Sequence, residues 1–299
     1  MNEHAESPSG VLILDKPQGI TSHDAVYRIR RLYGTKKVGH TGTLDPMATG
    51  VLVMLIGRAT KAAEFIAADR KMYEAKLLLG VSTDTLDTEG AVLRTCKEIP
   101  CEEEVLASVK KFVGSYGQVP PMYSAIKRNG QKMVDLARRG VTVDLPPRGV
   151  TVYGVRASMI SHSEYALSVE CSAGTYIRSL CRDIGDDLGC GGVMSGLRRI
   201  RSGDFDVAYS VTLDALEKMS EAERVSLLLP VESLFSASEE VILPEFFAAL
   251  ASNGQPVYQK KIRTDYPDGT RLRLSDSKGF FALGEACGEV IKPVKQFRI

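Results

Sequence analysis

The longest uninterrupted apolar stretch in the chain is Val51 to Gly57 (VLVMLIG). A membrane helix needs about 18 such residues or more, so this stretch is strand-sized and the fold must be assembled from short elements. The chain has 299 residues. At about 100–200 residues per domain, that length suits one large domain or a large one plus a small one. It can bury a sizeable core without disulfides or a structural metal. The 44% hydrophobic and 25% charged fractions exclude wholesale disorder. The net charge of +1 carries no message as a sum, so a polyanionic partner must be met by local clusters. The N-terminus, MNEHAESPSG, has neither the basic start nor the apolar stretch of a signal peptide. Cys96, Cys101, Cys171, Cys181, Cys190 and Cys287 are scattered without a C-x-x-C pair, as free thiols in a reducing cytosol would be. His4, His23, His40 and His162 lie far apart and form no metal-binding pattern. A cytoplasmic protein with no metal and no membrane span is expected.

The periodicities predict an α+β fold. Val11–Leu14 reads as a strand, ended by the turn Lys16-Pro17-Gln18-Gly19. Thr21 or Ser22 can cap a helix with Ala25, Val26, Ile29 and Leu32 on its apolar face, and Gly34 is placed to end it. Val51–Ile56 and Lys71–Leu79 read as strands, and Ala59–Ala68 and Glu102–Val113 as helices. After Pro120-Pro121, residues Asn129–Arg139 resemble a short basic helix. Val150–Ile160 and Tyr165–Ser172 look like paired strands. Tyr176–Leu188 carries the clearest amphipathic stripe. Strand pairs without intervening helices predict a mixed, mainly antiparallel central sheet flanked by helices. The expected divisions are a polar tail over 1–10, a main domain over 11–210, a helical linker over 211–240 and a small β-barrel-like domain over 241–299. No internal repeat is visible.

The loop Gly39–Gly50 (GHTGTLDPMATG) is the densest candidate for chemistry. Its glycines permit turns that other residues resist, and Pro46 restricts the backbone of Asp45, its only carboxylate. The alternative is a structural Asx turn, and pattern alone does not choose between them. No phosphate-cradling glycine motif is present, which argues against nucleotide-dependent chemistry. Three basic clusters stand out: Arg28, Arg30, Arg31, Lys36 and Lys37; Lys127, Arg128, Lys132, Arg138 and Arg139; and Arg198, Arg199 and Arg201. Each alone suits a solvated face; together, near such a loop, they favour a phosphate-rich partner. Tyr73 and Tyr176 have basic neighbours and could stack on an unpaired base or simply pack at a sheet edge. Asp84, Asp87, Glu89 and Gly90 miss the spacing of a calcium loop. From the residues alone, the chain is an RNA-leaning α+β protein with one candidate aspartate.

Six segments in order resemble one family. Lys16-Pro17-Gln18-Gly19-Ile20-Thr21-Ser22 and Gly39–Gly50 are followed by Lys71-Met72-Tyr73, Pro121-Met122-Tyr123-Ser124-Ala125, Gly174-Thr175-Tyr176-Ile177-Arg178 and Leu197-Arg198-Arg199. They are similar to the signature segments of the TruB family of pseudouridine synthases, whose bacterial members act on uridine 55 of tRNA. The resemblance implies the pseudouridine synthase fold over 11–210, with a basic RNA-gripping insertion at about 124–151, and a PUA-like RNA-binding domain over 241–299. It implies isomerisation of a flipped-out uridine in the T-arm, without a cofactor. Asp45 matches the catalytic aspartate, which could attack the ribose, attack the uracil or take a proton from the sugar. Arg178 matches the arginine that pairs with it, and a guanidinium there should lower the pKa of Asp45. His40, Tyr73, Tyr176 and Leu197 match substrate-binding positions, and Lys16 and Pro17 match a supporting segment. The basic arm implies a stand-alone monomer on tRNA with no obligatory protein partner. The competing readings are an RNA-binding tRNA folding factor, a subunit of a guide-RNA particle and, least supported, a hydrolase using Asp45 with His40.

Overall fold

A computed structural model describes residues 8–66, 70–124, 126–128, 130–137, 139–141 and 143–298. His4 and most of the polar tail, Ala68, and within the basic insertion Ala125, Asn129 and Arg138, lie outside the described residues.

The chain opens with β1 (Gly10–Lys16) and α1 (Ser22–Leu32). Thr21 caps α1 through a reciprocal box: its hydroxyl accepts from the Asp24 N–H, and the Asp24 carboxylate accepts from the Thr21 N–H. Then come β2 (Val38–His40), β3 (Thr49–Ile56) and β4 (Lys71–Leu79). The short hairpin β5 (Val81–Thr83) and β6 (Val92–Thr95) precedes α2 (Glu102–Lys111) and β7 (Gly114–Gln118). In the basic insertion, β8 (Lys127–Arg128) and β9 (Gln131–Lys132) form a small hairpin before α3 (Met133–Ala137), where a single basic helix was expected. The antiparallel pair β10 (Arg148–Met159) and β11 (Glu164–Cys171) leads to α4 (Ile177–Asp187) and the long strand β12 (Gly192–Ser202). β13 (Phe205–Asp206), β14 (Val211–Thr212), α5 (Leu213–Lys218) and α6 (Glu221–Ser226) follow. The last part comprises β15 (Glu239–Ile242), α7 (Glu245–Ser252), β16 (Val257–Tyr258), β17 (Arg271–Asp276), β18 (Gly279–Cys287) and β19 (Val290–Gln296).

The large sheet runs in the order β14-β1-β3-β12-β4-β11-β10-β7, with β2 on β3 and β13 on β12. Only the β14–β1 and β3–β12 junctions are parallel, so the sheet is mixed and mainly antiparallel, as the sequence predicts. The five C-terminal strands form a second sheet in the order β15-β17-β18-β19-β16, an open path rather than a closed barrel.

Burial explains these elements. On β4, Tyr73, Ala75, Leu77 and Leu79 point into the core while Glu74 and Lys76 face outward, and β11 alternates in the same way. One face of the sheet packs against Ala25, Val26 and Ile29 of α1, Val105 and Val109 of α2, and Ile177, Leu180 and Ile184 of α4. β1 and β3 are covered on their second face too, where Val11, Ile13, Val51, Val53 and Leu55 form a separate cluster. Burial on both faces accounts for the uninterrupted apolar run along β3. Ala62 and Phe235 then meet Leu283 and Phe297, joining the C-terminal sheet to the main one.

Three local differences from the sequence reading have plain causes. Ala59–Ala68 was expected as a helix, but the described part holds a 3₁₀ turn over Gly57–Ala62 followed by a turn. In the 211–240 segment, Val211–Thr212 pairs with β1, and Leu213 and Leu216 enter the main core, so apolar burial draws it onto the sheet. β12 was not anticipated, because Arg198, Arg199 and Arg201 disguise a central strand as a basic surface run.

The β3–β12 junction aligns Gly50 with Arg199, and Gly50 has φ of +98°. A Cβ there would lie 2.2 Å from the Arg199 carbonyl oxygen, whereas one on Gly19, at φ +86°, would meet nothing within 4 Å. Gly19→Ala should therefore cost about 1–2 kcal/mol from backbone strain alone. Gly50→Ala should cost more than about 3 kcal/mol, because the junction must part as well. Urea unfolding of both variants checks the contrast, and equal costs would refute the close-approach argument.

Candidate active site

The loop between β2 and β3 brings Asp45 to the junction of β3, β12 and β4. Asp45-Pro46-Met47-Ala48 is a tight turn closed by the Ala48 N–H on the Asp45 carbonyl at 3.1 Å, with Pro46 in the position whose fixed φ favours it. Four anchors hold this loop. Ser22 Oγ accepts from the Leu44 N–H at 2.8 Å and donates to the Leu44 carbonyl at 3.0 Å. The Gly19 N–H donates to the Pro46 carbonyl at 2.9 Å. Lys16, fully buried, donates Nζ to the carbonyls of Pro17, Ile20 and Pro46. Arg199, only 2% exposed, donates Nε to the Val51 carbonyl at 2.7 Å and Nη2 to the Gly42 carbonyl at 2.9 Å. Arg199 thus belongs to the scaffold of the loop, and the third basic cluster is not an open phosphate surface. Arg198 pairs with Asp15, and Arg201 with Glu170.

Asp45 faces Arg178 of α4. Arg178 Nη2 donates to Asp45 Oδ1 at 3.1 Å, and Nε stands 2.9 Å from Oδ2 as an ion-pair contact without hydrogen-bond geometry. Both Nη atoms of Arg178 have further partners. Nη1 donates to the Thr85 carbonyl at 2.9 Å, Nη2 also donates to the Tyr123 carbonyl at 2.8 Å, and Asp87 Oδ2 lies 3.7 Å from Nη1. Asp87 is itself 5% exposed and is oriented by Thr85 Oγ1 and the Glu89 N–H. The turn carrying it holds Leu86 at φ +63°, in the left-handed region.

Above the pair opens a cleft of about 260 Å³, lined among others by Thr43, Asp45, Lys71, Tyr73, Tyr176, Arg178 and Leu197. That is below the roughly 300–1,000 Å³ of pockets for drug-sized ligands, and suits a single ring. Tyr73 projects from β4 opposite Arg199. Tyr176 is the N-cap of α4, so it and Arg178 both reach the cleft although they are two residues apart. Gln118 fixes Tyr176, accepting from its N–H at 2.8 Å and donating to its carbonyl at 3.1 Å.

Burial dominates the electrostatics. It raises the pKa of Asp45, and Arg178, the next largest influence, pulls it down without cancelling the rise. The sequence expectation of a lowered pKa is corrected on this point: the cost of removing the carboxylate from water outweighs its partner. Burial also raises Tyr73 and Tyr176, which keeps both hydroxyls protonated at neutral pH. It lowers Lys16 to about 8, against the attraction of Asp45.

The structure therefore gathers Asp45, Tyr73, Tyr176, Arg178 and Leu197 around one cleft. It places Lys16 behind the loop and Pro17 on the surface nearby, neither lining the cleft. His40 ends β2, half-buried outside the lining, and burial lowers its pKa. Sequence reasoning did not single out Asp87, Lys71 or Ser124 for this site. Asp87 offered a signal, since it lay in the acidic turn set aside as a failed calcium loop. Among the described residues, no cluster of three or more His, Cys, Asp or Glu could hold a metal ion, and no helix is long and apolar enough to cross a membrane.

Comparison with known proteins shows the family. Residues 30–177 match the pattern of the TruB family pseudouridylate synthase N-terminal domain, and residues 178–236 that of the tRNA pseudouridylate synthase B C-terminal domain. The tRNA pseudouridine synthase B of Syntrophotalea carbinolica is 43% identical over 92% of this chain and 91% of its own. That of Clostridium tetani is 41% identical over 96% and 99%. Among solved structures, the Cbf5–Nop10–Gar1 complex contains a chain that superposes with a TM-score of 0.74 at 27% identity, covering 98% of this chain and 86% of that one. The archaeal box H/ACA Nop10–Cbf5 complex gives 0.73 at 26%, covering 98% and 87%. The fold is that of a pseudouridylate synthase, an isomerase. Within that class, the chain belongs to the TruB family.

The electrostatic balance is directly testable. In a ¹³C carboxyl NMR titration the Asp45 midpoint should lie above the ordinary value of about 3.9. In Arg178→Met it should rise further, since an adjacent arginine favours the charged form. A wild-type midpoint at or below the ordinary value would overturn the dominance of burial.

Proposed function

We propose that this protein converts uridine 55 in the T-arm of tRNA to pseudouridine, as a stand-alone monomer in the cytoplasm. The observation that carries the reading is the Asp45–Arg178 pair at the base of a one-ring cleft walled by Tyr73, Tyr176 and Leu197. The target base leaves the stack at a cost of a few kcal/mol and enters that cleft. Tyr73 stacks on it, Tyr176 and Leu197 wall it, and His40 meets the strand from which the base is withdrawn. Asp45 acts on the nucleoside as a carboxylate, and Arg178 holds it in line and favours its ionised form. The bond from N1 to the sugar breaks, the bond from C5 forms, and the C5 proton is released as N1 gains one. The reaction is balanced within one nucleotide, so no electron or group carrier is required. Lys16 and Pro17 support the loop from behind, and the C-terminal sheet docks RNA.

The chief alternative is a subunit of a guide-RNA particle, since the chains of similar fold were solved in such assemblies. Relatives named tRNA pseudouridine synthase B, at 38–43% identity over nine-tenths of the chain or more, favour the stand-alone enzyme. The other alternative, a tRNA folding factor, is separated by Asp45→Asn, which should keep binding and lose chemistry.

The deciding assay follows tritium release from C5 of uridine in an unmodified tRNA transcript, with no cofactor and with EDTA present. Wild type should release close to one equivalent per tRNA. Asp45→Asn should be slowed by at least about 10³-fold, within the range a positioned acid–base or nucleophilic group contributes. Activity should also fall as the pH drops through the raised Asp45 pKa, because protonation removes the reacting form. Tight tRNA binding without release by the wild type would reject the stand-alone enzyme.

A further inference from the structure

α1 carries a second surface with the chemistry of an RNA contact. His23, Tyr27, Arg30 and Arg31 recur at i, i+4, i+7 and i+8 and so share one stripe of the helix. The His23 and Tyr27 rings meet edge to face at 4.7 Å, and the Arg30 guanidinium lies 5.4 Å from the Tyr27 ring centre. Arg30 is steadied from below, with Nη2 at 3.5 Å from the Val38 carbonyl. Tyr27 is nevertheless 54% exposed, an aromatic plane braced on two sides and open to solvent.

The charge around this plane is one-sided. No acid occurs between Ala25 and Leu44, while Arg28, Arg30, Arg31, Lys36 and Lys37 all do. Of the nearest acids, Asp24 is engaged in the helix cap, and Glu217 of α5 pairs with Arg28 at 3.9 Å. Arg31, Lys36 and Lys37 are exposed and, among the described residues, have no acidic partner within 4 Å. The stripe is also tied to the catalytic loop, because Ser22, the residue before His23, makes both hydrogen bonds to Leu44. At 1.5 Å per residue, Ser22 to Arg31 spans about 14 Å, or roughly four stacked nucleotide steps.

We infer that this stripe binds the substrate RNA beside the reacting uridine. Tyr27, braced by His23 and Arg30, stacks on an unpaired neighbouring base, and Arg31, Lys36 and Lys37 take the adjoining phosphates. The inference rests on the RNA reading of the active site and extends its footprint along α1. It also gives the first basic cluster a role that the third, consumed by internal pairing, does not have.

The test uses full-length protein and an unmodified tRNA transcript, measuring both tritium release and filter-binding Kd between 50 and 300 mM salt. Tyr27→Ala should raise KM and Kd about tenfold, within the loss typical of one aromatic–base stack, while the rate at saturating tRNA changes less than about twofold. Tyr27→Phe should restore KM, because it keeps the ring. Replacing Arg31, Lys36 and Lys37 together by Gln should reduce the slope of log Kd against log salt by about 2, at roughly 0.7 per single-strand phosphate contact. Thermal melts of all variants report folding separately. Unchanged Kd, KM and salt slope in folded variants would overturn the inference and assign the stripe to a protein partner or to solvent. A wild type that binds tRNA but releases no tritium would instead reject the stand-alone enzyme, and the Kd series would still decide the role of the stripe.

Discussion

Everything around Asp45 depends on the buried guanidinium of Arg199. The Gly39–Gly50 loop has few backbone bonds of its own, so its carbonyls must be met by donors from elsewhere. Arg199 answers those of Gly42 and Val51 from the centre of the sheet. An arginine so buried is tolerable only if its donors are satisfied, and here the loop satisfies them. The dependence runs both ways: the loop holds its shape because Arg199 is there, and Arg199 can be buried because the loop is. Gly50 permits the arrangement, since no side chain could fit between its strand and the Arg199 backbone.

The second constraint is charge. Lys16, Arg178 and Arg199 are buried cations, and Asp45 and Asp87 are the carboxylates that face Arg178. Asp87 opposes the benefit that Arg178 gives Asp45, because it raises the pKa of Asp45 while helping to fix the arginine. One group thus trades some ionisation of Asp45 for a rigid partner. Three buried cations against two carboxylates leave an excess of positive charge around the Asp45 loop. In a site of reduced dielectric, that excess suits a substrate carrying phosphates.

The sequence showed where ordinary burial rules apply and concealed where the site overrides them. β4, β10, β11 and α4 were legible because their apolar residues recur at period 2 or 3.6 against a single core. β12 was illegible because its inward residue at the site is Arg199, where a strand would ordinarily place a Val or Leu. The same cause hid Asp87, whose turn looked like a failed metal loop because its partner, Arg178, lies 91 positions away in sequence. Asp45 was legible from its glycine-rich loop and the family resemblance. The direction of its pKa was not, since burial depends on residues that the fold brings together from distant parts of the chain. Departures from local pattern cluster where function requires them.

The placement of α1 follows from the same logic. A helix whose sole task was to cover the sheet would need only Ala25, Val26 and Ile29, and its outer face could carry mixed charge. Here the outer face lacks acids beyond the capping Asp24, and it presents one braced aromatic. The Ser22 clamp means that any force on α1 is transmitted to Leu44, the neighbour of Asp45. RNA bound along the stripe and a base held in the cleft would therefore share one rigid support. Positioning of the strand and positioning of the carboxylate become a single geometric problem, solved by the bond between the first residue of a helix and the loop it covers.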